Sequence, residues 1–260
     1  MSKITLEVFI LENSKIGYVH SIETFGNLDG PGIRFILFLQ GCPLRCKYCH
    51  NRDSWKLNTG REMTVPEVLT EVLKYREFFD SSGGGFTVSG GEPLIQLEFL
   101  IELFKALKKE GIHTNIDTSG GIKLTKRNTV LFSELLEYTD MVMLDVKLMD
   151  EAGHKELIGT PNAHIHELGR FIAKSGTKIW IRRVLVPGLS DSEADLVATA
   201  AYIHELNTIG TVERVEVLPY HPMGESKWEQ LGYDYPLKGQ RVPTREEITK
   251  ANEILQQALQ

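Results

Sequence analysis

Hydrophobic and polar positions fall into two alternating patterns once the chain has passed residue 30. Short runs rich in β-branched and aromatic residues occur at "IRFILFLQ" (33–40), "GFTVS" (85–89), "IHTNID" (112–117), "MVMLDVK" (141–147), "KIWIRRVLV" (178–186) and "RVEVLPY" (214–220). Helical periodicity follows each of them. In "TVPEVLTEVLKYREFF" (64–79), Val65, Val68, Leu69, Val72, Leu73 and Phe79 recur at i, i+3, i+4 spacing. Thr64 with Glu67 three residues on predicts a capping box at that helix start. In "QLEFLIELFKALKKEG" (96–111), Leu100, Leu103, Phe104 and Leu107 make one stripe, and Gly111 predicts the stop. Further helices are predicted near 129–138, 162–175, 192–207 and 244–258.

Strands alternating with helices imply a parallel sheet covered by helices. Six such units with right-handed crossovers form either an open doubly wound sheet or a curved partial barrel. The segment "GYVHSIETFG" (17–26) is a candidate flanking strand. No interdomain linker, low-complexity stretch or internal repeat interrupts the alternation.

The unusual residues gather at the carboxyl ends of these runs. The first run leads into "GCPLRCKYCHN" (41–51), the second into "SGGEP" (89–93) and the third into "DTSG" (117–120). The fourth carries Asp145 and Lys147, the fifth Arg182 and Arg183, and the sixth leads to His221. Ligands in parallel α/β folds bind at that edge. Arg182 and Arg183 are neighbours on a strand, so only one of them can face a site there.

Composition narrows the chemistry. At 260 residues and 42% hydrophobic content, the chain can build a core without covalent staples. Its three cysteines are therefore free for other work, and their odd number argues against a disulfide framework. A net charge of -6 argues against bulk attraction to nucleic acid or anionic membrane. The apolar stretch at the N-terminus is broken by Glu7, Glu12 and Asn13, unlike a signal peptide, and no run approaches a membrane span. A cytoplasmic protein with reduced thiols is expected.

Cys42, Cys46 and Cys49 stand in a C-x3-C-x2-C spacing. Three readings are open. Structural zinc takes four ligands, and His50, directly after Cys49, is poorly placed to be the fourth. A redox pair of Cys46 and Cys49 leaves Cys42 idle. A [4Fe–4S] cluster held by three thiolates leaves one iron open to a substrate or cofactor.

That spacing, with Tyr48 before the last cysteine and "SGGEP" downstream, resembles the radical S-adenosylmethionine superfamily. Within it, the chain is similar to activases of glycyl radical enzymes of the pyruvate formate-lyase type. The stretches that carry this are "DGPGIRFILFLQGCPLRCKYCHNRDSW" (29–55), "SGGGFTVSGGEP" (82–93), "GIHTNIDTSG" (111–120), "MVMLDVK" (141–147), "IWIRRVLVPG" (179–188) and "LPYHPMGESKW" (218–228). The absence of further cysteine clusters favours the short type. Asn115 stands where some members carry a cysteine.

The resemblance implies an α/β fold, a partial (β/α)6 TIM-like barrel with parallel strands. It implies one domain over residues 1–260, with an N-terminal extension over about residues 1–30. Cys42, Cys46 and Cys49 would hold a [4Fe–4S] cluster, and S-adenosylmethionine would bind its open iron. Tyr48, Cys49, His50, Gly90, Gly91, Glu92, Asp145, Val146, Lys147 and His221 would surround that cofactor, with Glu92 accepting from its ammonium. Asp117, Thr118, Asp145 and the backbone of Met143 would bind a monovalent cation, Na+ or K+. Asp29 and Arg182 would grip the substrate peptide. The implied activity is reductive cleavage of S-adenosylmethionine and hydrogen abstraction from a glycine of pyruvate formate-lyase, within anaerobic glucose metabolism. Flavodoxin or ferredoxin would donate the electron, and the protein would act as a monomer. Competing readings are a radical enzyme acting on another glycyl radical enzyme or a small molecule, and a zinc-binding module.

Overall fold

The computed structural model describes residues 15–260. Among them, eight strands form one sheet: β1 (Ile16–Gly26), β2 (Arg34–Leu39), β3 (Arg61–Thr64), β4 (Gly85–Gly90), β5 (His113–Thr118), β6 (Met141–Asp145), β7 (Lys178–Leu185) and β8 (Val212–Pro219). Their order is β3-β1-β2-β4-β5-β6-β7-β8. The six strands from β2 to β8 along that order pair in parallel, whereas β1 and β3 add on antiparallel at one edge. The sheet is open, with β3 and β8 at its margins. It is the partial barrel of six parallel strands expected from the sequence, widened by two flanking strands.

Nine helices of six or more residues are described. They are α1 (Val65–Leu73), α2 (Arg76–Ser82), α3 (Leu97–Lys109), α4 (Lys126–Leu136), α5 (Glu151–Ile158), α6 (Ala163–Ser175), α7 (Glu193–Ile209), α8 (Glu225–Gln230) and α9 (Arg245–Gln256). The capping box expected at Thr64 and Glu67 is present. The single helix expected over 64–79 is instead two. Its break at Lys74 and Tyr75 lets Tyr75 and Phe78 pack on Phe25, with ring centroids 5.8 and 5.0 Å away, while Tyr75 also meets Phe35 at 5.7 Å. Helix α5 and strand β3 were not expected.

The main core lies between the sheet and its helices. α3 alone buries Leu97, Phe99, Leu100, Ile101, Leu103, Phe104 and Leu107. A second apolar cluster, including Leu44, Tyr48, Trp55, Leu157, Ile158, Trp228 and Tyr235, gathers around the cysteine loop. Burying these aromatic and aliphatic groups at the carboxyl rim holds in place a loop that has no regular structure of its own.

Candidate cluster and cofactor site

The cysteine loop begins where β2 ends, and its backbone is pinned from three sides. Gly41 donates to Ser54 O (2.7 Å) and Cys42 to Trp55 O (3.3 Å). Arg45 and Lys47 donate to Ile158 O and Leu157 O, both at 2.9 Å. Glu92 N–H reaches back to Gly41 O (2.8 Å). Helix α5, whose polar sequence "EAGHKELI" carries a weak helical signal, thus supplies the carbonyls that shape the loop.

All three cysteines are free thiols and line one cavity of about 760 Å³. Tyr48, His50, Gly90, Gly91, Lys147 and His221 line it too, as do Asp117, Thr118 and Asp145. Asp29 and Arg182 line it as well. Six strand ends therefore deliver their unusual residues to one space.

The charges inside are arranged in pairs. Lys147 Nζ lies 3.0 Å from Asp145 Oδ2, and the same ammonium sits 5.5 Å from the Tyr48 ring centroid. The proximity of Asp145 holds Lys147 charged, well above the usual lysine range, despite its burial. Arg182 bridges two carboxylates, bonding Asp117 and, at 3.2 Å, Asp145 Oδ1. Ser89 Oγ donates to the other oxygen of Asp117 at 2.7 Å. Burial and the nearby Asp117 push the Asp29 carboxyl up to about 6, against the pull of Arg182. The loop bearing Asp29 is fastened to the sheet by Thr87 Oγ1 (2.7 Å) and Asn115 Nδ2 (3.0 Å), which both donate to its carbonyl. His50 and His221 meet with ring centroids 4.4 Å apart.

Two expected residues, Glu92 and Val146, have side chains outside the cavity. Glu92 is wholly buried and turned away from the cavity. Its carboxylate accepts from Leu94 N (3.1 Å), Thr118 Oγ1 (2.6 Å), Ser119 N (3.1 Å) and Gly121 N (3.0 Å). Four donors fill its lone pairs, so it organises the loop after β5 and has none left for a cofactor ammonium. The Val146 side chain is in the core. The Met143 side chain is buried beneath the cavity floor, where its sulfur accepts from Asn115 Nδ2 at 3.0 Å. In the expected cation position, between Asp117 and Asp145, the positive charge is the guanidinium of Arg182.

Gly90 and Gly91, which line the cavity, also meet a packing constraint. A Cβ on Gly91 would stand 2.3 Å from Gly41 O and 3.1 Å from Cys42 Cβ. Gly90, at φ +119°, would press a Cβ to 2.3 Å from Leu39 N and O. These residues have no side chain because β4 must close on the start of the cysteine loop.

Two tryptophans were missed by residue reading. Trp55 Nε1–H donates to Cys49 Sγ (3.2 Å) and Trp228 Nε1–H to Cys49 O (2.8 Å). Their rings meet edge to face at 5.3 Å. Neither the turn that holds Trp55 nor the short helix that holds Trp228 gives a sign in sequence of which atom the indole will touch.

The donor set fits an iron–sulfur cluster. Burial pushes the Cys46 thiol up to about 11, with Lys147 pulling the other way, and it raises Cys42 and Cys49 too. Thiols raised in this way need a strongly positive partner to exist as thiolates, and soft sulfur ligands select iron–sulfur or zinc centres. Among the described residues, no three His, Cys, Asp or Glu side chains converge as one small ion requires. Three sulfurs lining one cavity, with one iron left for a further ligand, suit a polynuclear centre.

Comparison with known proteins agrees. Residues 28–166 match the 4Fe-4S single cluster domain family. The chain is 48% identical over 237 residues to the pyruvate formate-lyase-activating enzyme of Staphylococcus epidermidis, covering 90% of this chain and 93% of that one. It is 45% identical over 244 residues to the pyruvate formate-lyase 1-activating enzyme of Escherichia coli K12, covering 94% and 97%. The chain belongs to the pyruvate formate-lyase-activating enzyme family. A solved domain of a pyruvate-formate lyase-activating enzyme from Bacteroides vulgatus superposes with a TM-score of 0.54 at 26% identity, covering 67% of this chain and 94% of that one. The matched segment, 28–166, carries all three cysteines that line the cavity described above. Among the described residues, no helix is long and apolar enough to cross a membrane.

Proposed function

We propose that this protein activates pyruvate formate-lyase by generating a glycyl radical on it. The observation that carries the reading is the meeting of three free cysteines with the charged strand-end residues in one cavity. When bound, a [4Fe–4S] cluster and S-adenosylmethionine supply the chemistry: one electron cleaves the sulfonium to methionine and a 5′-deoxyadenosyl radical, which takes hydrogen from a glycine Cα.

The chain's own residues bind and orient. Cys42, Cys46 and Cys49 would hold three irons, leaving the fourth open. Lys147, kept charged by Asp145, offers an ammonium to a carboxylate group. The flat faces of His50 and His221, beside Tyr48, suit a purine. Gly90 and Gly91 expose backbone to the cavity. Asp29 and Arg182, in the lining of the same cavity, would grip the amides of an extended glycine loop. Glycine suits the reaction because it has no side chain to obstruct the approach.

The finer parts of this reading are a monovalent cation, an electron donor of the flavodoxin or ferredoxin class, a monomeric state and a cytoplasmic location. A cation held by Asp117, Thr118, Asp145 and the Met143 carbonyl would require Arg182 to leave its bridging position.

The deciding experiment mixes anaerobically reconstituted, reduced protein with S-adenosylmethionine and pyruvate formate-lyase and records the EPR spectrum. A glycyl doublet with stoichiometric 5′-deoxyadenosine is expected. A cluster signal that responds to S-adenosylmethionine without any glycyl radical would reject this partner.

A further inference from the structure

Trp55 connects two of the three cysteines through separate atoms. Its carbonyl accepts from Cys42 N–H (3.3 Å), and its indole N–H donates to Cys49 Sγ (3.2 Å). An indole has one donor and no acceptor, and Trp55 is buried, so its single N–H is committed to sulfur. Among the described residues, no side-chain donor reaches Cys42 or Cys46 sulfur. Cys49 is therefore singled out.

The surroundings hold the indole in place. Trp55 ends a short turn, Arg52–Trp55, whose backbone is tied to Gln40 through Asp53 O (2.9 Å) and to Gly41 through Ser54 O (2.7 Å). The guanidinium of Arg52 lies 4.1 Å from the Trp55 ring centroid, and that of Arg45 lies 4.8 Å away. Arg45 is itself fixed by bonds to Cys42 O and Leu44 O, both at 2.7 Å. Cations over an indole withdraw electron density and make its N–H a better donor. Trp228 provides an internal contrast, because it bonds the carbonyl of the same cysteine and not its sulfur.

We infer that Trp55 is a positioning residue for the proposed cluster, and that its N–H···S bond to Cys49 raises the cluster's reduction potential. Reduction adds negative charge to the cluster and its sulfurs, so a fixed donor aimed at a ligand sulfur stabilises the reduced state more than the oxidised one. A packing role alone would hold the loop together without touching the potential. The inference rests on the activase reading, since it needs the cluster that reading assigns.

The test uses the full chain, reconstituted anaerobically, with iron and sulfide counted first. The midpoint potential is then titrated by EPR for the unaltered protein, Trp55→Phe and Trp228→Phe. Phenylalanine keeps an aromatic face for Arg52 but removes the N–H, and Trp228→Phe controls for the volume lost with the indole. Trp55→Phe is expected to be harder to reduce, with a more negative midpoint, while Trp228→Phe titrates with the unaltered protein. Equal midpoints for Trp55→Phe and the unaltered protein, or an equal shift from Trp228→Phe, would overturn the inference. If Trp55→Phe fails to fold, the unaltered protein with 15N-labelled tryptophan decides. Pulsed EPR of its reduced cluster should show a 15N coupling that Trp228→Phe retains, and absence of that coupling would overturn the inference. Folded, unaltered protein that takes up no iron and sulfide would instead sink the activase reading itself.

Discussion

Arg182 and Arg183 are consecutive on β7 and turn to opposite faces of the sheet. Ile179, Ile181, Arg183 and Leu185 are buried under the helices, while Trp180, Arg182 and Val184 face the other way. Arg183 is completely buried and bonds Asp195 of α7 at 2.6 Å, Thr199 Oγ1 at 2.8 Å and Ser190 O at 2.7 Å. Arg182 bonds Asp117 and Asp145 across the cavity floor. Identical side chains thus have unrelated roles, one in the scaffold and one in the site.

Substituting each separates those roles. Arg183→Met leaves Asp195 charged and buried, where it also accepts from Met149 N and Asp150 N. A loss of about 3–5 kcal/mol is expected, because breaking a buried pair strands the remaining charge. Arg182→Met is expected to lose less stability, since cavity water can reach its two carboxylates, yet to lose peptide binding. Urea unfolding and titration with a glycine-loop peptide check both. Equal stability losses would contradict the assignment.

Glu92 offers a second test, because the structure moves it from the cofactor to the scaffold. Glu92→Gln places an amide NH2 against donors that already point at both oxygens. A destabilisation of about 1–3 kcal/mol is expected from the unsatisfied groups. Cofactor affinity, measured on the fraction that remains folded, should be nearly unchanged. A variant of full stability that binds S-adenosylmethionine poorly would restore the cofactor role.

The strands and the cavity rim were legible because each depends on short-range pattern. β7 announces itself through alternation, which admits only one of Arg182 and Arg183 to the site, and the family resemblance points to Arg182. The three cysteines needed only their spacing and the strand before them. Other features depend on contacts distant in sequence. Glu92 reads as a free carboxylate beside a turn, and its saturation appears only once the loop after β5 folds over it. Trp55 is one aromatic in a loop until Cys49 meets its N–H. Helix α5 carries Lys155, Glu151 and Glu156 among few apolar residues. Its value lies in the carbonyls at its end, which no side-chain pattern encodes.

Stability should depend on pH through His113. Burial and the nearby Arg34 push this imidazole down to about 4, against a small opposing pull from Asp140. Its Nδ1 lies 3.3 Å from Arg34 Nη1, which suits a neutral, accepting ring. The folded state therefore resists a proton that the unfolded state accepts from about pH 6.5 downward. The contribution is complete above pH 6.5 and is lost as pH falls toward about 4. Urea midpoints between pH 7 and 4 should fall less steeply for His113→Asn than for the unaltered protein. Parallel slopes would show that His113 is not a source of acid lability.

Closure of β4 on the cysteine loop gives the last prediction. A methyl group at Gly91 would meet Gly41 O at 2.3 Å, which is backbone, and Cys42 Cβ at 3.1 Å. Neither neighbour can step aside, because Gly41 O also accepts from Glu92 N–H and Gly41 N–H donates to Ser54 O. Gly91→Ala is therefore expected to displace the first cysteine relative to the other two. Overpacking of this kind costs about 1–3 kcal/mol, which a chain of this size can survive. The variant should stay folded by circular dichroism but take up less iron and sulfide on reconstitution. Gly83→Ala, where a Cβ meets nothing within 4 Å though φ is +68°, serves as a control for backbone strain alone. Full cluster loading in Gly91→Ala would mean that the loop tolerates a shift of Cys42, and that the three thiols need less exact spacing than their packing implies.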